Sequence, residues 1–405
     1  MQNAIQYHGR ASSRAVLGKL LADYPTLKPN VKNLIPTLET ITNEVNTLSL
    51  AQQKQLLQQL LPASPVKKAE KAESALSPLP NVDAYPFIHV RFCPNPDGAL
   101  HLGGARAAIL CDEYAKMYHG RFTLRFDDTD PRTKSPIPEA YDWIPHDLKW
   151  LQVNWHDQVY QSDRLEIYYK YAEQLLEMGA AYVCTCQPLE FRKLIWAHHA
   201  CPCRDLSPEK QLQRWNSMLL GSFKEGDAVV RIKTDLTHPN PAVREWPALR
   251  IIDTRKYPHP RTKSKYHVWP LFAFCCGVDD HELQISHIIR GKEHLTNSVR
   301  QRFLYDYLHW EYPEALHYGR FKIVGSVLSK SKIRDGIARG NYQGWDDPRL
   351  GTLMALRKRG FQPETVRQLI LDVGVKPVDL TVSWQNIQAL NRKRLDPSAN
   401  RFFFI

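Results

Sequence analysis

Four cysteines fall in two close pairs, Cys184-Thr185-Cys186 and, 14 residues on, Cys201-Pro202-Cys203. Two Cys-x-Cys pairs at this separation offer four thiolates to one tetrahedral ion, and structural Zn²⁺ is the ion that such a donor set fits. His198 and His199 stand close enough to replace one thiol. Buried small hydrophobes or a disulfide are the competing readings, and they account for the spacing less well. Cys93, Cys111, Cys275 and Cys276 are expected in the core. A second constellation is Pro94-Asn95-Pro96-Asp97-Gly98-Ala99-Leu100-His101-Leu102-Gly103-Gly104. It delivers His101 to the start of a helix, where free N–H groups and the helix dipole favour phosphate. Gly103 and Gly104, without Cβ atoms, let a nucleotide lie close to the backbone. A third, Val327-Leu328-Ser329-Lys330-Ser331-Lys332, sets hydroxyls either side of a lysine on a flexible segment and suits a phosphate clamp. Taken singly, the second reads better as a Gly-rich turn with a surface histidine and the third as an exposed basic loop.

The elements around them must do the positioning. Phe87 to Cys93 has the pattern of a buried strand, 101–118 is helical with Gly120 as its stop, and Phe122 to Phe126 is a second strand. Strand, loop, helix, strand is a βαβ unit, which places a nucleotide at the strand ends of a parallel sheet. Helices are expected at 139–151 and 163–178, the latter opened by Asp163 with Glu166 three residues later. The cysteine cluster interrupts this pattern, followed by a helix at 207–220 and a strand at 227–235. The pattern resumes with a strand at 285–290 and a helix at 296–310, and 336–398 is helical. Residues 1–62 carry helical periodicity, with a capping-box spacing at Ser49 and Gln52. Residues 62–85, rich in Pro and in alternating charge, read as a flexible linker.

The chain has 405 residues, enough for several domains, with 43% hydrophobic and 24% charged residues. No apolar run approaches the ~20 residues of a membrane span, and the N-terminus lacks the pattern of a secretion signal. A cytoplasmic, reducing setting without membrane contact is the expectation. The net charge is +12, and residues 318–405 hold 16 Lys/Arg against 7 Asp/Glu. That concentration points to nucleic acid as a partner, without distinguishing DNA from RNA.

The His-x-Gly triplet after the first strand and the Ser-Lys-Ser segment some 230 residues later together resemble the class I aminoacyl-tRNA synthetases. Arg91 to Gly98, Arg125-Phe126-Asp127-Asp128-Thr129-Asp130-Pro131, Asp279-Asp280-His281-Glu282, Ile289-Arg290-Gly291-Lys292-Glu293 and Gly344-Trp345-Asp346-Asp347-Pro348-Arg349 narrow the resemblance to glutamyl-tRNA synthetases of the archaeal type. The resemblance implies an α/β fold: a Rossmann-like class I catalytic domain with a zinc-containing insertion, an N-terminal helical domain and a C-terminal helical stem-contact region. The map it suggests is 1–62 N-terminal helical domain, 63–85 linker, 86–180 first catalytic half, 181–265 acceptor-binding insertion, 266–335 second catalytic half and 336–398 stem-contact region. Residues 399–405 would begin a truncated anticodon-binding β-barrel.

By the same resemblance ATP would be held by His101, Gly103, Gly104, Glu293, Leu328, Ser329 and Lys330, with Mg²⁺ as a further cofactor. His101 and Lys330 would be the catalytic residues, supplying charge to the phosphates together with Mg²⁺. L-Glutamate would meet Arg91, Asn95, Asp127, Tyr266 and Arg290, with Asp127 on the α-ammonium and Arg290 as a fork for the γ-carboxylate. Cys184, Cys186, Cys201 and Cys203 would hold Zn²⁺. The partner would be tRNA(Glu), with tRNA(Gln) left open as a second acceptor, and not DNA. Two positions depart from the motifs: Gly104 stands where a second histidine is usual, and Val327 where a lysine is usual. The alternatives are a glutaminyl-tRNA synthetase, which shares the fold but has no use for Arg290, an enzyme that glutamylates a modified tRNA base, and a catalytically silent tRNA-binding module. Activation by an already ionised carboxylate attacking the α-phosphate needs no enzyme nucleophile, so positioning and charge must carry the catalysis.

Overall fold

The computed structural model describes residues 1–23, 27, 30–60 and 76–402. These divide into two compact units, 1–73 and 74–405. The first is helical: α1 (Gln2–Gln6), α2 (Ser13–Asp23), α3 (Val31–Thr47) and α4 (Leu50–Leu60). The capping box forms as its spacing demands, with the Ser49 N–H donating to Gln52 Oε1 (2.9 Å) and the Gln52 N–H to Ser49 Oγ (3.4 Å). The fully buried Gln53 acts as a polar plug: Nε2 donates to the carbonyls of Gly9, Val45 and Leu48.

The second unit opens with the end of the linker stretch. Residues 63–75 lie outside the described residues, but 76–85 pack on the α/β core. Leu76 and Leu79 are buried in it, and the Leu79 N–H donates to the Tyr118 hydroxyl (2.9 Å). There follow β1 (His89–Phe92), α5 (Leu102–Met117), β2 (Arg121–Phe126), α6 (Ala140–Trp150), β3 (Asp157–Tyr160) and α7 (Leu165–Glu177). Strands β1, β2 and β3 form a parallel sheet in that order, with Arg91 opposite Thr123. The βαβ unit thus forms where the pattern placed it. Helix α7 starts at Leu165 without a side-chain cap, because Asp163 closes a preceding 3-10 turn instead.

An antiparallel sheet interrupts the parallel one. β4 (Ala181–Cys184), β5 (Val229–Ile232), β6 (Pro247–Ile251) and β7 (Val268–Pro270) pair in sequence order, with α8 (Pro188–Trp196) and α9 (Pro208–Leu219) between the first two. Trp215, Trp246 and Trp269 are buried in the core beneath it. The parallel layer resumes after α10 (Phe272–Glu282) with β8 (His287–Gly291), α11 (Leu295–Leu308) and β9 (Glu314–Tyr318), β8 and β9 being parallel. Ser286 joins the two halves: its N–H donates to the His89 carbonyl (3.0 Å), and its Oγ accepts from the His89 N–H (2.7 Å).

The last part holds β10 (Phe321–Ile323), α12 (Lys330–Ala338), α13 (Leu353–Lys358), α14 (Pro363–Val373), β11 (Leu380–Val382) and α15 (Trp384–Leu395). The expected run of helix at 336–398 is broken by β11, which pairs in parallel with β10 some 60 residues earlier. Arg106, fully buried in α5, ties this region down by donating to the carbonyls of Gly319 and Gly374 (both 2.7 Å). Among the described residues no helix is long and apolar enough to cross a membrane.

Candidate active site

β1 and β8 begin together at His89 and Ser286. Near their far ends, Arg91 and Arg290 both lie close enough to His294 and His317 to help push those imidazoles down to about 4, after the larger effect of burial. The two strands therefore run the same way, and β2 beside β1 brings Asp127 to the same edge. The Asp127 N–H donates to the Pro94 carbonyl in the loop after β1 (3.1 Å). Most of the polar residues singled out in the sequence stand at these strand ends, where parallel sheets bind ligands.

A buried chain of charges connects them. Arg91 donates through Nε and Nη2 to both oxygens of Asp280 (3.0 Å each). Asp280 Oδ1 also accepts from Arg125 Nη1 (2.8 Å), and Arg125 Nε donates to Asp127 Oδ1 (2.8 Å). Cys276 Sγ closes the row on Asp127 Oδ2 (3.1 Å). Burial pushes the Asp127 carboxyl upward against the pull of Arg125. For Asp280 burial also opposes ionisation, but Arg91 and Arg125 outweigh it and its pKa is lowered. Each oxygen of Asp127 keeps a free lone pair, so the carboxylate can still accept an ammonium.

Arg290 is held on one side only. Its Nη2 faces Ser298 Oγ (2.7 Å), Gln301 Oε1 (2.9 Å) and Tyr312 Oη (2.9 Å). Its Nε and Nη1 are buried without a hydrogen-bond partner among the described residues, as is Asn95 Oδ1. Orphaned buried donors on a cation cost free energy unless something accepts from them, which makes them the mark of an anion site. Tyr266 is placed otherwise. It precedes β7 of the antiparallel sheet, and its hydroxyl donates to Glu166 (3.1 Å).

The phosphate motifs come together. His101 caps α5, with Nδ1 accepting from the Gly104 N–H (3.2 Å). Burial and then the Lys330 charge push this imidazole down to about 4. With Nδ1 accepting from the Gly104 N–H, Nε2 is the ring nitrogen left for a ligand. Gly103 lies against the His101 ring. Glu293 sits in the 3-10 turn after β8, its carboxyl folded over Gly291. Leu328 packs on the core, Ser329 precedes α12 and Ser329 Oγ meets Ser331 Oγ (3.1 Å). Lys330 opens a helix instead of lying on a flexible loop. Its Nζ donates to the Asn95 carbonyl (2.6 Å) and pairs with Asp97 (3.1 Å), a partner that no local pattern signals.

A second unforeseen feature is the staple on this loop. His101 and Thr352 form an antiparallel bridge, flanked by hydrogen bonds from the Leu102 N–H to the Gly351 carbonyl and from the Leu353 N–H to the Leu100 carbonyl. Trp345 covers the loop at Gly98, whose φ is +156° and where a Cβ would land inside the indole.

In the insertion, the sulfurs of Cys184, Cys186, Cys201 and Cys203 lie within 4.8 Å of one another, with 3.9 Å between Cys184 and Cys201 and 3.8 Å between Cys186 and Cys203. A tetrahedral ion with ~2.3 Å bonds to sulfur requires edges of ~3.8 Å, so the donor set fits a metal. His198 instead turns Nδ1 to the Leu236 carbonyl (2.9 Å). Beside the cluster a cleft of about 1200 Å³ is lined by Arg132, Lys224, Arg231, Arg250, Arg255 and Lys256, among others.

Residues 87–397 match the family described as tRNA synthetases class I (E and Q), catalytic domain. The chain is 56% identical to a glutamate–tRNA ligase of Pyrococcus furiosus, a match covering 100% of this chain and 70% of that protein. It is 57% identical to one from Pyrococcus horikoshii with the same coverage, and 48% identical to one from Methanothermobacter thermautotrophicus over 99% of this chain and 71% of the relative. The chain belongs to the class I tRNA synthetases of the E and Q group. A crystal structure of a glutamate tRNA ligase from Elizabethkingia meningosepticum in complex with its amino acid shares the fold. Its TM-score is 0.54 at 21% identity, covering 76% of this chain and 70% of that one. By the resemblance of its sequence, the loop under Trp345 would lie at the nucleotide site. Gly98→Ala, which forces the indole off that loop, should weaken ATP binding by about tenfold or more in calorimetric titration. Unchanged ATP affinity would separate the Trp345 contact from the nucleotide site.

Proposed function

We propose that the chain activates L-glutamate with ATP to glutamyl-adenylate and transfers it to the 3′ end of tRNA(Glu), with tRNA(Gln) open as a second acceptor. The observation that carries the amino-acid half is Arg290: a buried guanidinium with two donor nitrogens unpartnered among the described residues, at the strand ends that also carry Arg91 and the Asp127 carboxyl. A dicarboxylic amino acid satisfies both kinds of group at once. Asp127 takes the α-ammonium, Arg290 and Arg91 take carboxylate, and Asn95 adds a hydrogen bond; Tyr266, bonded to Glu166, would have to turn to reach this pocket.

The nucleotide half would use the His101 N–H, the close backbone at Gly103 and Gly104, Glu293, Leu328, Ser329 and the Lys330 ammonium. Burial holds Lys330 below its ordinary pKa against the pull of Asp97, and release from Asp97 would free its charge for the phosphates. Mg²⁺, bound on the ATP phosphates, would offset their charge. The attacking glutamate carboxylate is already ionised, so these residues need only align it and stabilise charge developing on the α-phosphate. The basic cleft beside the cysteine cluster would receive the acceptor end of the tRNA, and residues 336–398, with their excess of Lys and Arg, its stem. Zn²⁺ on Cys184, Cys186, Cys201 and Cys203 would brace the walls of that cleft.

Glutamate-dependent exchange of pyrophosphate into ATP, run with and without tRNA, tests the activity. Arg290→Ala should lower exchange with glutamate by about a hundred-fold, the consequence of removing one partner of a buried charge pair, and exchange with glutamine much less. An unchanged ratio would mean that Arg290 does not read the side chain. The purified chain should carry one equivalent of zinc, and Cys201→Ser should lose it together with tRNA charging. Metal analysis finding no zinc in protein prepared without chelator would remove the ion from this account.

A further inference from the structure

We infer that Asp280 is a positioning residue for amino-acid recognition, acting through Arg91; this rests on the glutamate site proposed above. Asp279 and Asp280 are neighbours in α10, both fully or almost fully buried, and their hydrogen bonds go to different partners, although Asp279 Oδ2 also lies 3.7 Å from Arg125 Nε. Asp279 serves the scaffold. Its carboxylate accepts from Gln161 Nε2 (3.0 Å), Arg164 Nε (2.7 Å) and the Tyr168 hydroxyl (2.7 Å), binding α10 to the start of α7. Asp280 instead turns both oxygens toward the strand ends. It takes Nε and Nη2 of Arg91 in a two-point fork and Nη1 of Arg125 beside it.

A fork of this kind fixes the plane of a guanidinium as well as its place. With Nε and Nη2 engaged on the protein side, Nη1 of Arg91 is the edge left for a ligand. The fork also decides the balance of charge. Arg91, Arg125 and Arg290 would repel one another at the strand ends, and the ionised Asp280 lies close enough to all three for each to favour its anionic form. Asp127 is then tied to the same anion through Arg125, so the group proposed for the α-ammonium and a group proposed for carboxylate share one buried anchor. Aspartate is the side chain that meets this demand. Asparagine keeps the size but offers one acceptor oxygen and no charge, and its NH₂ would point a donor at an arginine.

The test is a double-mutant cycle read by pyrophosphate exchange, with glutamate and ATP varied in turn. Asp280→Asn should raise the KM for glutamate by about tenfold or more and leave the KM for ATP within roughly twofold. Asp279→Asn should lower the thermal midpoint and leave both KM values within roughly twofold. Arg91→Lys should raise the KM for glutamate by itself, and adding Asp280→Asn to it should bring little further loss, because the fork is already gone. If the two losses multiply, or if Asp280→Asn raises both KM values alike, Asp280 does not act through Arg91 and the inference falls. Should Asp280→Asn not fold, Asp280→Glu, which keeps the charge but displaces the fork, takes its place in the cycle with the same expectations. If the unmodified chain shows no glutamate-dependent exchange, the proposed function fails instead.

Discussion

The site depends on a run of ionised groups held almost without water: Arg91, Asp280, Arg125 and Asp127, with Asp279 behind them. Taking such charges out of water costs on the order of several kcal/mol each, and that cost is offset only when every ion has well-placed partners. The parallel sheet provides the placement. β1 supplies Arg91, the end of β2 supplies Arg125 and Asp127, and α10, leading into β8, supplies the aspartates. None of these elements can shift without leaving a buried charge exposed to apolar surroundings, so the fold and the electrostatics of the pocket fix one another. Within this row Arg125 keeps one nitrogen, Nη2, buried without a hydrogen-bond partner among the described residues.

The nucleotide side is built on a softer principle. Its residues are held by backbone contacts and by one ion pair. The 351–353 segment stitches the His101 loop to the start of α13, and Trp345 lies on the same loop, its ring tilted by 52° to that of Trp143 (6.5 Å between ring centres). The helical region that follows is thereby joined directly to the loop that would hold ATP. Lys330, paired with Asp97, reaches back across the same loop, so its ammonium and the His101 ring, more than 200 residues apart in sequence, stand on one loop.

Much of this was legible in the sequence, because some signals are local. Alternation between apolar strands and periodic helices marked the βαβ unit, the paired cysteines marked a cluster of four sulfurs, and Ser49 with Gln52 marked a helix start that forms as written. What was hidden is pairing over long separations. Strand β11 has three residues and no pattern of its own, and exists because β10 lies beside it. Asp97 looks like any turn aspartate until Lys330, more than 200 residues on, arrives next to it. Asp279 and Asp280 are adjacent letters in one motif, and only the twist of α10 separates a scaffold role from one at the strand ends. The burial that lowers the pKa of His101 cannot be read from its neighbours in sequence. Tyr266 was expected in the pocket on resemblance alone, and its bond to Glu166 is likewise a contact across 100 residues.

The central claim is that the strand-end network is preformed and receives glutamate without rearrangement. A crystal structure of the chain with a non-hydrolysable glutamyl-adenylate analogue tests it most directly. The account predicts the α-ammonium at Asp127, carboxylate oxygen at roughly 3 Å from the free donors of Arg290, and the Arg91–Asp280 fork intact. An analogue bound away from these strand ends, or bound only after the fork has opened, would contradict it.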